Sequence, residues 1–103
     1  MQRTLVMLAL LWLMATPMAE AKPFRVQGAY GFDWLQPTTT RCRAMTIQDV
    51  QRFKTCTFFR QGDAFAMSAP YHQCRVSARS EYFIYASRAQ CQAVFETMQA
   101  NAP

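Results

Sequence analysis

Four cysteines spread through a short chain constrain this sequence more than any other feature. Cys42, Cys56, Cys74 and Cys91 are separated by 13, 17 and 16 residues in a chain of 103. A zinc site usually brings its ligands in close pairs that chelate from one turn, and a thiol–disulfide oxidoreductase carries two cysteines two residues apart. Neither spacing occurs here. An even count at wide spacing predicts two structural disulfides and an oxidising compartment. Each bridge would contribute roughly 2–4 kcal/mol, a large share of the stability of so small a domain.

Three pairings are open. A helix expected between Cys42 and Cys56 would hold those two apart and disfavours the pairing 42–56 with 74–91. If the segments carrying Cys56 and Cys74 form a hairpin, the two residues fall nearly opposite each other. The preferred pairs are therefore Cys56–Cys74 and Cys42–Cys91, with 42–74 and 56–91 next.

The N-terminus agrees with export. Met1-Gln2-Arg3 precedes an unbroken apolar run of 11 residues, Leu5 to Ala15. That length suits the core of a secretory signal and falls well short of the roughly 20 residues a membrane-spanning helix needs. Thr16 and Pro17 break the run, and Ala19-Glu20-Ala21 supplies small residues for cleavage after Ala21. The expected product is one small domain, residues 22–103, with no transmembrane segment in the mature chain. It would be secreted or periplasmic.

The mature segment reads as α+β. Lys22 to Gly28 suggests a short strand. Tyr30-Gly-Phe-Asp-Trp-Leu-Gln-Pro reads as an ordered aromatic loop, and Thr38-Thr39-Thr40 favours extended backbone. Arg41 to Met45 suggests another short extended piece. Thr46 opens a helix over about 47–54, with Asp49 as its capping-box partner and Ile47, Val50 and Phe53 at helical spacing. Cys56 to Arg60 is β-rich, Gln61-Gly62-Asp63 is a turn, and Ala64 to Ser68 is ambiguous. Tyr71 to Val76 and Glu81 to Ala86 predict an antiparallel hairpin across a four-residue connection. Ser87 caps a last helix, whose Cys91, Val94, Phe95 and Met98 form one apolar stripe. The expected architecture is a small antiparallel sheet of three or four strands, two helices packed on it, and two disulfides.

Charge narrows the partners. Residues 22–103 carry ten basic and five acidic side chains, a net charge of +5, and eight of the ten are arginine. Arginine favours forked contacts with carboxylate or phosphate. Arg41 and Arg43 are candidate binding residues on that ground. Nucleic acid is not expected, because an exported protein rarely meets it and no recognition motif is present. Tyr30, Phe32 and Trp34 alternate beside Asp33, so they are candidates for a binding platform; the plainer reading is that they plug the edge of a small core. Tyr82 to Tyr85 makes both faces of the last strand apolar, which calls for two covered faces or one sticky patch.

No catalytic residues, metal site or cofactor are assigned. His72 is the one histidine, and it stands without a recognisable nucleophile elbow or orienting carboxylate. Asp49, Asp63 and Glu81 have capping, turn and strand-start positions that account for them without chemistry. The leading expectation is a non-enzymatic exported domain that binds another macromolecule, in the manner of an inhibitor or immunity protein. Its partner would be a protein or an anionic envelope component. A cationic protein acting on anionic membrane or envelope polymer is the second reading, and a small hydrolase using His72, Glu81 and Glu96 the third.

Overall fold

The structure, a computed structural model, describes residues 22–101. The proposed signal segment and its cleavage site lie outside the described residues. Five strands form one antiparallel sheet: β1 (Tyr30–Asp33), β2 (Arg43–Ala44), β3 (Thr55–Phe59), β4 (Tyr71–Ser77) and β5 (Ser80–Tyr85). Their spatial order is β2-β1-β5-β4-β3. Two helices, α1 (Ile47–Arg52) and α2 (Arg88–Ala100), complete the α+β fold.

The sheet has more strands than the three or four expected, because the segment read as an aromatic loop is β1. Tyr30 pairs with Tyr85 and Phe32 with Phe83. The alternation of Tyr30, Phe32 and Trp34 is thus the period-two signature of a strand. Gly31 disguised it, and packing explains the glycine. A Cβ there would lie 2.7 Å from Ile84 Cγ1 and 3.0 Å from the Phe83 carbonyl oxygen. Conversely, no strand forms over Lys22–Gly28. That segment lays Phe24 and Val26 against the sheet instead of pairing at its edge.

Both faces of β5 are covered, which accounts for its continuous apolar run. On one face Phe32, Tyr71, Phe83 and Tyr85 pack with Cys91, Val94 and Met98 of α2. The stripe expected on this helix is the one buried. Ser87 caps the helix by accepting from the Gln90 amide at 3.2 Å. On the other face Cys74 and Ile84 pack with Ala29 and Met45, joined by Phe24, Val26, Phe53 and Tyr82. His72 sits there between the rings of Phe24 and Phe58, at 4.7 and 4.8 Å. Its Nε2 lies 2.7 Å from the Phe24 carbonyl oxygen, which can only accept.

Helix α1 departs from the expectation in two ways. It ends at Arg52, because Phe53 is already extended and the Lys54 amide donates to the Arg75 carbonyl, joining β4. It also lays no apolar stripe on the sheet, since Ile47 is 44% exposed and Asp49 is its buried residue. The capping box at Thr46 and Asp49 is present in full.

The β4–β5 connection is tighter than four residues. Ser77 pairs with Ser80, leaving Ala78-Arg79 as the turn, with a register shift between Arg75 and Ser77. The ambiguous Ala64–Ala66 segment is a short 3-10 turn. Gly62 enters it with φ +76°, and a Cβ there would meet the Ala69 carbonyl oxygen at 2.5 Å. Cys42 is bonded to Cys91 and Cys56 to Cys74. The second pair is directly cross-strand, as the hairpin argument requires. Two disulfides fit an oxidising compartment. No helix among the described residues is long and apolar enough to cross a membrane.

Candidate binding site

The site grows from the chain that leaves β1. Asp33, 5% exposed, organises it. Its Oδ1 accepts from the amides of Leu35 and Glu81, both at 3.1 Å, and its Oδ2 accepts from the Ser80 hydroxyl at 2.6 Å. Its own amide donates to Thr40 Oγ1 at 2.7 Å. The Gln36 amide donates to the Asp33 carbonyl, and the amides of Thr39 and Thr40 donate to that of Gln36. Thr38-Thr39-Thr40 therefore belongs to a folded turn, contrary to the extended backbone expected of threonines, because local hydrogen bonds outcompete propensity. Gln99 of α2 donates to the Pro37 carbonyl at 2.6 Å, and Cys42 is tied to Cys91 of the same helix. Residues 34–42 form a loop braced at both ends and in the middle.

Two clefts flank this loop. One, of about 280 Å³, is lined by Asp33, Gln36, Thr39, Thr40, Arg41, Arg43 and Tyr82. The other, of about 520 Å³, lies toward α2, where Pro37, Cys42, Phe95, Gln92 and Gln99 contribute to its walls. Thr40 and Arg41 border both. Arg41 is exposed.

Arg43 has a different role from Arg41. Its Nη1 and Nη2 donate to Asp49 Oδ2 and Oδ1 at 2.7 and 2.8 Å, and Nη2 also reaches the Tyr82 hydroxyl at 3.2 Å. The forked pair holds the Asp49 carboxyl well below the usual carboxylate range, with the Thr46 contacts adding to it, and raises the Arg43 guanidinium. Arg52 Nη1 stands 3.9 Å from the same carboxylate. Asp49 thus fastens α1 to β2 while capping the helix.

A second polar cluster lies where β1, β4 and β5 meet. Glu81, 3% exposed, accepts from Trp34 Nε1 at 2.8 Å, Gln73 Nε2 at 2.7 Å and Arg75 Nε at 3.0 Å. These donors offset the desolvation of its charge.

The five candidate binding residues therefore separate. Arg41 and Arg43 come together at one cleft. Phe32 is fully buried and leaves the candidate surface. Trp34 stacks on Phe83 at 5.3 Å and gives its indole N–H to Glu81, while Tyr30 is half-buried and carries the Arg88 guanidinium 4.9 Å from its ring centre. Tyr30 and Trp34 are half-buried and pack against the core that holds Phe32. Sequence reasoning passed over Gln36, Thr39, Thr40, Tyr82 and Phe95. The run of threonines beside two arginines carried a signal, since hydroxyls and guanidinium groups together suit an oxyanion. Tyr82 carried only the general signal of an apolar run and Phe95 that of a helix stripe; the sheet and α2 bring them to the loop. Among the described residues, no group of three or more His, Cys, Asp or Glu side chains could hold a metal ion.

Compared with protein-family models, curated proteins and solved structures, the chain shows no match.

Proposed function

We propose that this protein is an exported, non-enzymatic binding module that holds another macromolecule through the braced loop of residues 34–42. The carrying observation is the position of Arg41, exposed on a loop secured by the Cys42–Cys91 disulfide and by Gln99, with a cleft on either side. A loop already ordered loses little conformational freedom on binding, so its contacts translate more fully into affinity. Of the carboxylates the hydrolase reading draws on, Glu81 is buried and committed to three donors, while Glu96 lies on α2 and accepts from Gln92 of the same helix at 3.2 Å. The His72 ring nitrogen is engaged with a backbone carbonyl.

The second reading, a cationic protein attracted to anionic membrane or envelope polymer, draws on the net charge of +5. Salt separates the two. The test is capture from envelope extract by the oxidised protein at about 0.05 and about 0.5 M salt, which bracket weak and strong screening. A discrete protein held at both levels supports the binding module. Polyanionic material released at the higher level favours the cationic reading, and recovery of nothing at either level counts against both.

A further inference from the structure

We infer that Arg41 and the two clefts it separates form one site for an acidic segment of a protein partner, with a carboxylate on Arg41 and an adjoining apolar side chain against Phe95. This rests on the binding-module reading above and names its ligand chemistry.

Arg43 is forked onto Asp49, Arg75 donates to Glu81, and Arg88 lies over Tyr30. The side chain of Arg41 has no hydrogen bond or ion pair among the described residues, and it stands exposed at the border of both clefts. A planar fork of donors in that position matches a carboxylate. Asp33 lines the smaller cleft too, but it is buried and its oxygens already accept from three donors. The charge presented to solvent is the positive one of Arg41. The overall charge of +5 attracts acidic partners from a distance.

The larger cleft supplies the apolar half. Phe95, Pro37 and Cys42 line it beside the polar Thr38, Gln92 and Gln99. The opposite cleft is lined by Thr39 and by Gln36, whose Nε2 already donates to the Arg79 carbonyl at 3.2 Å. Tyr82 is packed against Phe53 at 5.7 Å with Arg43 over it, so Phe95, half-buried on the wall of the larger cleft, is the ring left to meet an apolar side chain. Charge complementarity at Arg41, with the apolar wall of Phe95, Pro37 and Cys42 beside it, selects an acidic peptide that carries an apolar side chain.

The test is an amide NMR titration of the exported, oxidised protein with three probes: the capped peptide Ac-LEEL-NH2, its neutral counterpart Ac-LQQL-NH2, and trigalacturonate. The expected result is saturable shifts confined to residues 36–43, Phe95 and Gln99, with binding of the neutral peptide weaker by about tenfold or more. Arg41→Gln should weaken the acidic peptide by a similar factor while leaving the spectrum of the free protein otherwise unchanged. Equal binding of the two peptides would overturn the inference. So would shifts spread over the other arginines, tighter binding of trigalacturonate, or no saturable shift with either peptide. The capture experiment separates the two levels of the argument. A partner protein held equally by the native protein and by R41Q would leave the binding module standing and remove this site.

Discussion

At the scale of single residues, the most consequential group is Asp49. It serves two purposes with two oxygens, capping α1 by accepting from the Thr46 amide and fastening β2 by accepting from both terminal nitrogens of Arg43. The capping role is visible in the sequence, because a threonine followed three positions later by an acid is a helix-start pattern. The arginine six positions earlier is not, since only the turn from β2 into α1 brings it round. The consequence is pH dependence. The folded carboxyl lies below its ordinary value, so its stabilisation is complete above about pH 4 and is lost as pH falls through the lowered folded value. Arg43→Ala should therefore cost about 1–2 kcal/mol near neutral pH, discounted because the arginine side chain is 44% exposed. Urea unfolding of both proteins at about pH 7 and about pH 2.5 checks this; the gap must narrow at the lower pH. A gap that stayed constant or widened would show that Arg43 acts through something other than this pair.

At the scale of elements, the disulfides do different work. Cys56–Cys74 staples the edge strand β3 to β4 at a directly opposed position and closes a separation of 18 residues. Cys42–Cys91 spans 49 residues and ties the braced loop to α2, with Cys91 inside the main core. Chain entropy assigns about 3 kcal/mol to the shorter loop and about 4 kcal/mol to the longer. Replacing Cys42 and Cys91 by alanine should accordingly destabilise the protein more than replacing Cys56 and Cys74. It should also loosen residues 34–42, which the second replacement leaves intact. Equilibrium unfolding gives the order of stability, and amide relaxation of the loop gives the local effect. A larger loss from the Cys56–Cys74 replacement would mean that the edge strand matters more than loop closure does. The elements also differ in legibility. β5 and α2 announce themselves through a dense apolar run and a clean stripe. β1 is legible only to a reader who takes an aromatic alternation through a glycine as a strand.

At the scale of the whole molecule, β5 is the centre. It pairs with β1 on one side and β4 on the other, and it is covered on both faces. β3 has one neighbour, and four of its five residues are exposed. Local opening free energies should follow this gradient. Hydrogen exchange should be slowest at the paired amides of Phe83, Ile84 and Tyr85, and markedly faster in β3 even among amides bonded to β4. Uniform protection across the sheet would indicate that it opens only by global unfolding. Glu81 builds one polar cluster near the start of β5 itself, with donors from Trp34, Gln73 and Arg75, and Asp49 builds the other on α1, away from the central strand.

By itself the sequence determined the chemistry of the fold's punctuation and staples. Four well-spaced cysteines, a capping box at Thr46, a cap at Ser87, the β-rich run of residues 81–86 and the stripe of α2 are local patterns, and local patterns survive without knowledge of the partner surface. The tertiary structure alone decided which surface each pattern meets. It drew Tyr30–Asp33 into the sheet because Gly31 admits Ile84. It buried Phe32 against Phe83 and half-buried Trp34, which stacks on Phe83 and donates to Glu81. It folded three threonines into a turn because Asp33 and Gln36 lie within hydrogen-bond reach. It also made two neighbouring arginines unlike each other: Arg43 meets a buried carboxylate, and Arg41 meets solvent. That difference arises from the turn that brings Asp49 of α1 back onto β2 and from Tyr82 of β5 beside it, which no pattern of spacing encodes.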